Sequence, residues 1–161
     1  MSEKILAIIL MGSASDLPHV EKITAVLDQL GIPYERRISS AHKTPNKLLE
    51  ILNKYEQDPR AKVYITVAGR SNALSGMADG IVSSPVIACP PYSASFGGAD
   101  IYSSLRMPSG IAPMVVLEPA NAALAVAKIL AMVEPELAEK VKKMQTDFAD
   151  KVNSADEELN A

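Results

Sequence analysis

Residues 5–10 read Ile-Leu-Ala-Ile-Ile-Leu, an aliphatic run that Gly12 and the Ser-Ala-Ser after it bring to a stop. The run is strand-length, and neither of its faces carries a polar side chain. A strand like that is buried on both sides, as in a parallel sheet. The residues that follow then change period. Val20, Ile23, Val26, Leu27 and Leu30 recur at helical spacing, and Gly31 closes the pattern. Ser13 or Ser15 caps this helix, with Asp16 in its first turn and Pro18 tolerated there.

The same alternation repeats along the chain. Further strands are predicted at residues 33–38, 63–67, 86–89 and 114–117. Between them, Thr44-Pro45 opens a helix carrying Leu48, Leu49, Ile51, Leu52 and Tyr55, and a short helix follows the turn at residues 69–72 and runs to about residue 81. An alanine-rich helix covers residues 119–132. Strand–helix alternation implies right-handed crossovers and a parallel sheet between two helical layers. The predicted fold class is therefore a three-layer α/β/α sandwich of the flavodoxin-like or Rossmann-like kind, with an extended C-terminal helix. Residues 1–161 read as a single domain, with a core over about 4–132 and a helical extension over about 134–158. No internal repeat, low-complexity segment or linker interrupts it.

Two stretches depart from the alternation. Residues 90–110 form a long connection rich in Ser, Gly and Pro, a length that usually means function or flexibility. At the other end, Leu130, Val133, Leu137, Val141, Met144, Phe148 and Val152 line one helical face, with a break expected near Pro135 and fraying over the last residues, DEELN. That stripe either folds back on its own sheet or packs on a neighbouring subunit. The second is the expectation, because the sheet already has enough helices to cover it.

Composition narrows the function classes. Without tryptophan, aliphatic side chains must fill the core. A formal charge of −3 leaves no electrostatic footprint for nucleic acid, although a local basic site for a phosphate is compatible with it. Cys89 is the only cysteine, so no intrachain disulfide forms, which suits a reducing compartment. Residues 1–10 are too short and too charged for a signal peptide. No apolar run approaches the roughly 20 residues that span a bilayer. A soluble cytoplasmic protein is expected, with no membrane partner.

In an open parallel sheet, ligands bind beyond the carboxyl ends of the strands, where strand order reverses. Four segments fall after strand ends: GSASD, SSAHKTP, AGRSNALSG and CPPYSASFGG. In the first, a turn before a helix presents free N–H groups to an anion, Ser13 and Ser15 add hydroxyls, and Asp16 suits ribose hydroxyls, since a carboxylate only accepts. Ordinary helix capping by the same residues is the competing reading. In the second, His42 stands beside Lys43 in a stretch with no periodicity of its own. Lys43 can pair with phosphate as a point charge, and a neighbouring cation favours the neutral imidazole that accepts a proton. The bland alternative is a solvated histidine and a surface lysine. His19, mid-helix among charges, reads as solvated. In the third, Arg70 can fork onto an anion or sit in an ion pair. Arg106, with Ser103, Ser104 and Ser109, reaches the same site or is a surface arginine. There is no Cys/His cluster with zinc spacing and neither a GxGxxG nor a GxxxxGK[ST] fingerprint, so no metal and no cofactor are expected.

GSASD, SSAHKTP, AGRSNALSGM, ACPPYSASFGGADIYSSLRMPSGI and NAALAVAKIL, in this order over about residues 5–132, resemble the phosphoribosylaminoimidazole carboxylase family of purine biosynthesis. The family has a mutase branch, which moves a carboxylate from the exocyclic nitrogen of N5-carboxyaminoimidazole ribonucleotide to C4. Its other branch adds carbon dioxide directly to C4 of aminoimidazole ribonucleotide. The mutase branch typically reads SAHRTP and AGAGGAAHLPGM. Lys43 and the shorter AGRSNALSGM, which lacks a second histidine, resemble the direct branch. The resemblance implies His42 as the catalytic histidine and Ser13, Asp16, Ser40, Lys43, Gly69 and Ser71 as ribotide-binding residues. It also implies that neither ATP nor biotin is needed and that the protein forms a homo-oligomer, generally an octamer. A dry corner for carbon dioxide would be built from Ala73, Leu74, Ala88 and Cys89. The mutase, and a ribonucleotide-binding module that turns over nothing, are the alternatives; fold alone does not separate them.

Overall fold

The computed structural model of the chain describes residues 4–160, so the ends of the expected 1–161 domain and of the N-terminal segment, residues 1–3 and 161, lie outside the described residues. The aliphatic run forms β1 (Ile5–Met11), buried along its whole length. Successive strand side chains point to opposite faces. Ile5, Ala7, Ile9 and Met11 accordingly enter one hydrophobic cluster, and Leu6, Ile8 and Leu10 enter a second. Each fully buried aliphatic side chain contributes about 1.5–3 kcal/mol of transfer free energy. That gain requires helices on both faces. The first cluster is closed by α1 (Leu17–Leu30) and α5 (Pro119–Leu130), the second by α2 (Pro45–Glu56) and α3 (Ala73–Asp79).

β2 (Tyr34–Ile38), β3 (Ala61–Val67), β4 (Val86–Ala88) and β5 (Met114–Val115) complete a parallel sheet in the order β2-β1-β3-β4-β5. This is the expected three-layer, flavodoxin-like α/β fold. β5 is shorter than expected, because it is an edge strand whose one neighbour is the three-residue β4. The chain moves outward from β1 to β2, then crosses back to place β3 on the other side of β1. Strand order therefore reverses between β1 and β3. Register levels the strand tips there: Met11 stands opposite both Ile38 and Val67. The ladder continues one step into the loops, with Gly12 N–H donating to the Val67 carbonyl at 3.0 Å and Ser39 N–H to the Met11 carbonyl at 2.9 Å. Three turns thus leave the sheet from one level.

The long connection is compact. It holds single 3-10 turns at Ala94–Phe96 and Ala99–Ile101 and the short α4 (Tyr102–Leu105). Gly97 and Gly98 both have positive φ, 56° and 81°, and turn the chain back toward β3.

The C-terminal helix α6 (Pro135–Leu159) divides the apolar stripe in two. Leu137, Val141 and Met144 join the first cluster, against α1 and α5. Lys140 Nζ donates to the Leu30 carbonyl at 2.9 Å, placing a cation at the end of α1, where the helix dipole favours it. For this half, the expectation of a neighbouring subunit is corrected: the chain covers it itself. Phe148 and Val152, about one and two turns beyond Met144, are 57% and 70% exposed. The expected break falls just before Pro135: α5 ends at Leu130 and Pro135 starts α6, which continues to Leu159, through most of the segment expected to fray. No helix of the described residues is long and apolar enough to cross a membrane.

Candidate active site

A cavity of about 400 Å³ lies in the crevice above the strand reversal. It is lined by Ser13 and Asp16 from the turn after β1, by Ser40, His42 and Lys43 from the turn after β2, and by Gly69 and Ser71 from the turn after β3. All seven residues expected at the site from sequence therefore meet around one space. Pro91, Tyr92 and Ser93, after β4, complete the wall.

The first turn realises the capping reading while facing the cavity. Asp16 Oδ2 accepts from the Ser13 N–H at 2.9 Å and from the Ser13 hydroxyl at 3.4 Å, and Ser13 Oγ accepts from the Ser15 N–H at 3.3 Å. This reciprocal capping box fixes the turn. Capping and ligand binding are not exclusive, because the cap bonds to Asp16 all use Oδ2.

The second turn braces itself. Thr44 occupies the N-cap position of α2 but makes no side-chain bond to that helix. Its hydroxyl instead accepts from the Ser40 N–H at 2.9 Å and pairs with the buried Ser39 hydroxyl at 3.0 Å. The Lys43 N–H donates to Ser40 Oγ at 3.2 Å. His42 and Lys43 stand exposed at the tip of this loop. A fixed backbone carrying an exposed imidazole suits a group that must meet a ligand entering from solvent.

The third turn is strained. Arg70 has φ 63°, the only positive φ of a non-glycine among the described residues. A left-handed conformation costs an L-residue about 1–2 kcal/mol. Its N–H donates to Asp100 Oδ2 at 3.0 Å. Asn72, buried, donates its N–H to Ser103 Oγ and its Nδ2 to Ser104 Oγ, each at 2.9 Å, and accepts from the Ser75 N–H at 3.2 Å. Arg70 lines the cavity and has no ion pair among the described residues, so of its two sequence readings the anion fork is the one left open. Ser103 and Ser104 serve this turn; Arg106 is exposed and outside the cavity wall.

Two expectations are corrected. Of the four residues placed around a dry corner, Leu74 lines the cavity, whereas Cys89 points the other way, into the first cluster; Ala73 and Ala88 are not part of the wall. His19 is not solvated. It is half-buried, its Nε2 lying 3.3 Å from Cys89 Sγ. Burial pushes the Cys89 thiol up to about 12, so the sulfur keeps its proton. Burial also lowers the His19 imidazole below its ordinary value; Lys22 adds to this, while Cys89, Asp16 and Glu118 oppose it. A folded-state value below the unfolded one means that His19 contributes stability above about pH 6.5, lost as pH falls through the folded value. Thermal unfolding scans should therefore show stability declining from pH 7 toward pH 5, with a shallower decline in His19→Gln. An unchanged slope in the variant would remove His19 as the cause.

The sequence pointed to the segment after β4 but not to Tyr92 or Ser93 individually. Tyr92 is 78% exposed, and an aromatic after two prolines gives no periodicity from which to place it.

Known proteins resemble this chain over most of its length. A family model described as AIR carboxylase matches residues 6–151. The phosphoribosylaminoimidazole carboxylase of Treponema denticola is 55% identical over 154 residues, covering 96% of this chain and 97% of that one. The protein of the same name from Archaeoglobus fulgidus is 56% identical over 157 residues, covering 98% and 86%. The crystal structure of Treponema denticola PurE matches with a TM-score of 0.95 at 54% identity, over 98% of this chain and 99% of that chain.

Proposed function

Because the chain belongs to the AIR carboxylase family, we propose that it is a phosphoribosylaminoimidazole carboxylase of the direct kind. It joins carbon dioxide to C4 of 5-aminoimidazole ribonucleotide, reversibly and without ATP or biotin, to give the 4-carboxy product. The observation that carries the site assignment is the convergence of the turns after β1, β2 and β3 on one cavity, with His42 at its mouth.

The aminoimidazole ring is an enamine, so C4 is already a nucleophile. Its π electrons form the new C–C bond while one C=O bond of carbon dioxide becomes a carboxylate. C4 is then tetrahedral and carries both hydrogen and carboxylate. His42 takes the hydrogen as a proton, and the C–H electron pair restores aromaticity. In reverse, His42 returns the proton to C4 and carbon dioxide leaves. Asp16 accepts from ribose hydroxyls; Lys43 pairs with the ribotide phosphate; Ser13, Ser40, Gly69 and Ser71 complete the binding surface. Lys43 and the short AGRSNALSGM segment favour the direct reaction over the mutase.

The chain acts as a single catalytic domain in the cytoplasm and assembles as a homo-oligomer, an octamer by family resemblance. The exposed outer half of α6 is a surface such an assembly would cover.

A substrate-choice assay tests the reaction. Purified protein should consume aminoimidazole ribonucleotide at a rate that rises with bicarbonate-derived carbon dioxide. Turnover of the N5-carboxylated ribotide alone would reassign it to the mutase branch, and binding without turnover of either would make it a binding module. Lys43→Ala should weaken ribotide affinity about tenfold, as expected for the loss of one charged partner. Titration calorimetry giving an unchanged Kd would contradict the phosphate pairing.

A further inference from the structure

The strained turn after β3 is held in large part from a distant segment of the chain. Left-handed backbone at a non-glycine persists only where its surroundings over-determine it. Here the surroundings come from 30 residues away. Asp100 Oδ2 accepts the Arg70 N–H at 3.0 Å. The Ser103 hydroxyl donates to the Asp100 carbonyl at 2.7 Å and accepts the Asn72 N–H at 2.9 Å. Ser104, buried, accepts from Asn72 Nδ2. The Gly97-Gly98 turn, with φ 56° and 81°, brings Asp100 back to this point, and a side chain at Gly98 would press on the Tyr92 ring at 3.3 Å. One compact segment therefore both forms the cavity wall, through Tyr92 and Ser93, and clasps the turn that presents Gly69, Arg70 and Ser71 to the same cavity.

We propose that Asp100 is a positioning residue for the reaction: through its bond to the Arg70 N–H it locks the left-handed turn in the conformation that receives the ribotide. The assignment rests on the carboxylase reading for its consequence, but not for its geometry. Asp100 is not in the cavity wall, so it acts through the turn. His42 sits on a different, self-braced loop. Loss of the clasp therefore weakens binding while leaving the proton transfer intact.

The test has two readouts on the full chain. In steady-state kinetics with aminoimidazole ribonucleotide, Asp100→Ala should raise KM about tenfold with kcat within about twofold, the pattern of lost uniform binding. Asp100→Asn keeps an acceptor oxygen and should restore KM to within about threefold of the parent. Hydrogen exchange followed by mass spectrometry, without ligand, should show faster exchange confined to residues 69–72 in Asp100→Ala. Adding Arg70→Gly, which removes the conformational penalty, should slow it again. Unchanged KM and exchange in Asp100→Ala would overturn the proposal. So would a fall in kcat that Asp100→Asn does not rescue, or exchange that rises across the whole sheet. If Asp100→Ala does not yield folded protein, Ser103→Ala, which removes the hydroxyl bridging Asp100 and Asn72, carries the same expectations and the same refutations. The exchange result needs no turnover, so it decides the clasp even if the carboxylase reading fails.

Discussion

Replacing His42 by asparagine should leave a folded protein that binds the ribotide and turns it over about 10²–10⁴-fold more slowly, the usual worth of a positioned acid–base group. The fold survives because the bonds that brace the loop belong to Ser39, Ser40, Lys43 and Thr44. Affinity survives because, in the proposed site, the phosphate and the ribose fall to other residues, Lys43 and Asp16. What is lost is the imidazole that, in the proposed mechanism, takes a proton from C4 and returns it. Asparagine matches the imidazole in polarity but does neither. The loss must also be symmetrical. No variant changes the equilibrium constant, so kcat/KM for carboxylation and for decarboxylation of the 4-carboxy ribotide must fall by the same factor. Stopped assays in both directions check this. Near-normal turnover in either direction would take His42 out of the mechanism.

Much of this site was legible because strand ends write themselves plainly. A buried parallel strand is a nearly continuous apolar run, and its end is where small residues begin, as at Gly12-Ser13 after β1 and Ala68-Gly69 after β3. Since ligands bind beyond those ends, the segments could be collected before their lateral order was known. The order β2-β1-β3-β4-β5 was not legible, because buried aliphatic runs do not record which neighbour they pair with. Contacts that join distant segments through one polar atom were equally invisible. Asp100 meets Arg70 and Cys89 meets His19 across 30 and 70 residues, with no periodicity to announce either. His19 looked solvated because Pro18, Glu21 and Lys22 surround it in sequence; its ring nonetheless lies over the end of β4. The Thr44-Pro45 pair marked the helix start correctly, but the bond from the Ser40 N–H to the Thr44 hydroxyl left no trace in the sequence, since a threonine hydroxyl serves a cap or a loop with the same residue type.

The C-terminal stripe poses the sharpest case, because helical period reveals an apolar face without saying what covers it. The structure divides that face between Met144 and Phe148, and two substitutions of the same kind should separate the halves. Val141→Asp places a carboxylate where 6% of the residue is accessible, against α1 and α5. An unpaired buried charge should reduce stability by about 3 kcal/mol or more. For a domain of this size that is a fall in Tm of about 6–12 °C, at about 2–4 °C per kcal/mol. Phe148→Asp changes a residue that is 57% exposed and makes no demand on the first cluster. It should leave helix content by circular dichroism unaltered and lower the mass seen by light scattering, because it charges the half of the helix that the proposed homo-oligomer would cover. Subunit loss also lowers the apparent Tm by mass action, so urea unfolding of each variant at a concentration where the parent is dissociated isolates the fold itself. There, only Val141→Asp should shift the midpoint. Equal shifts in both variants would mean that the outer half of α6 belongs to the chain's own core, and no shift in Val141→Asp would mean that the inner half does not.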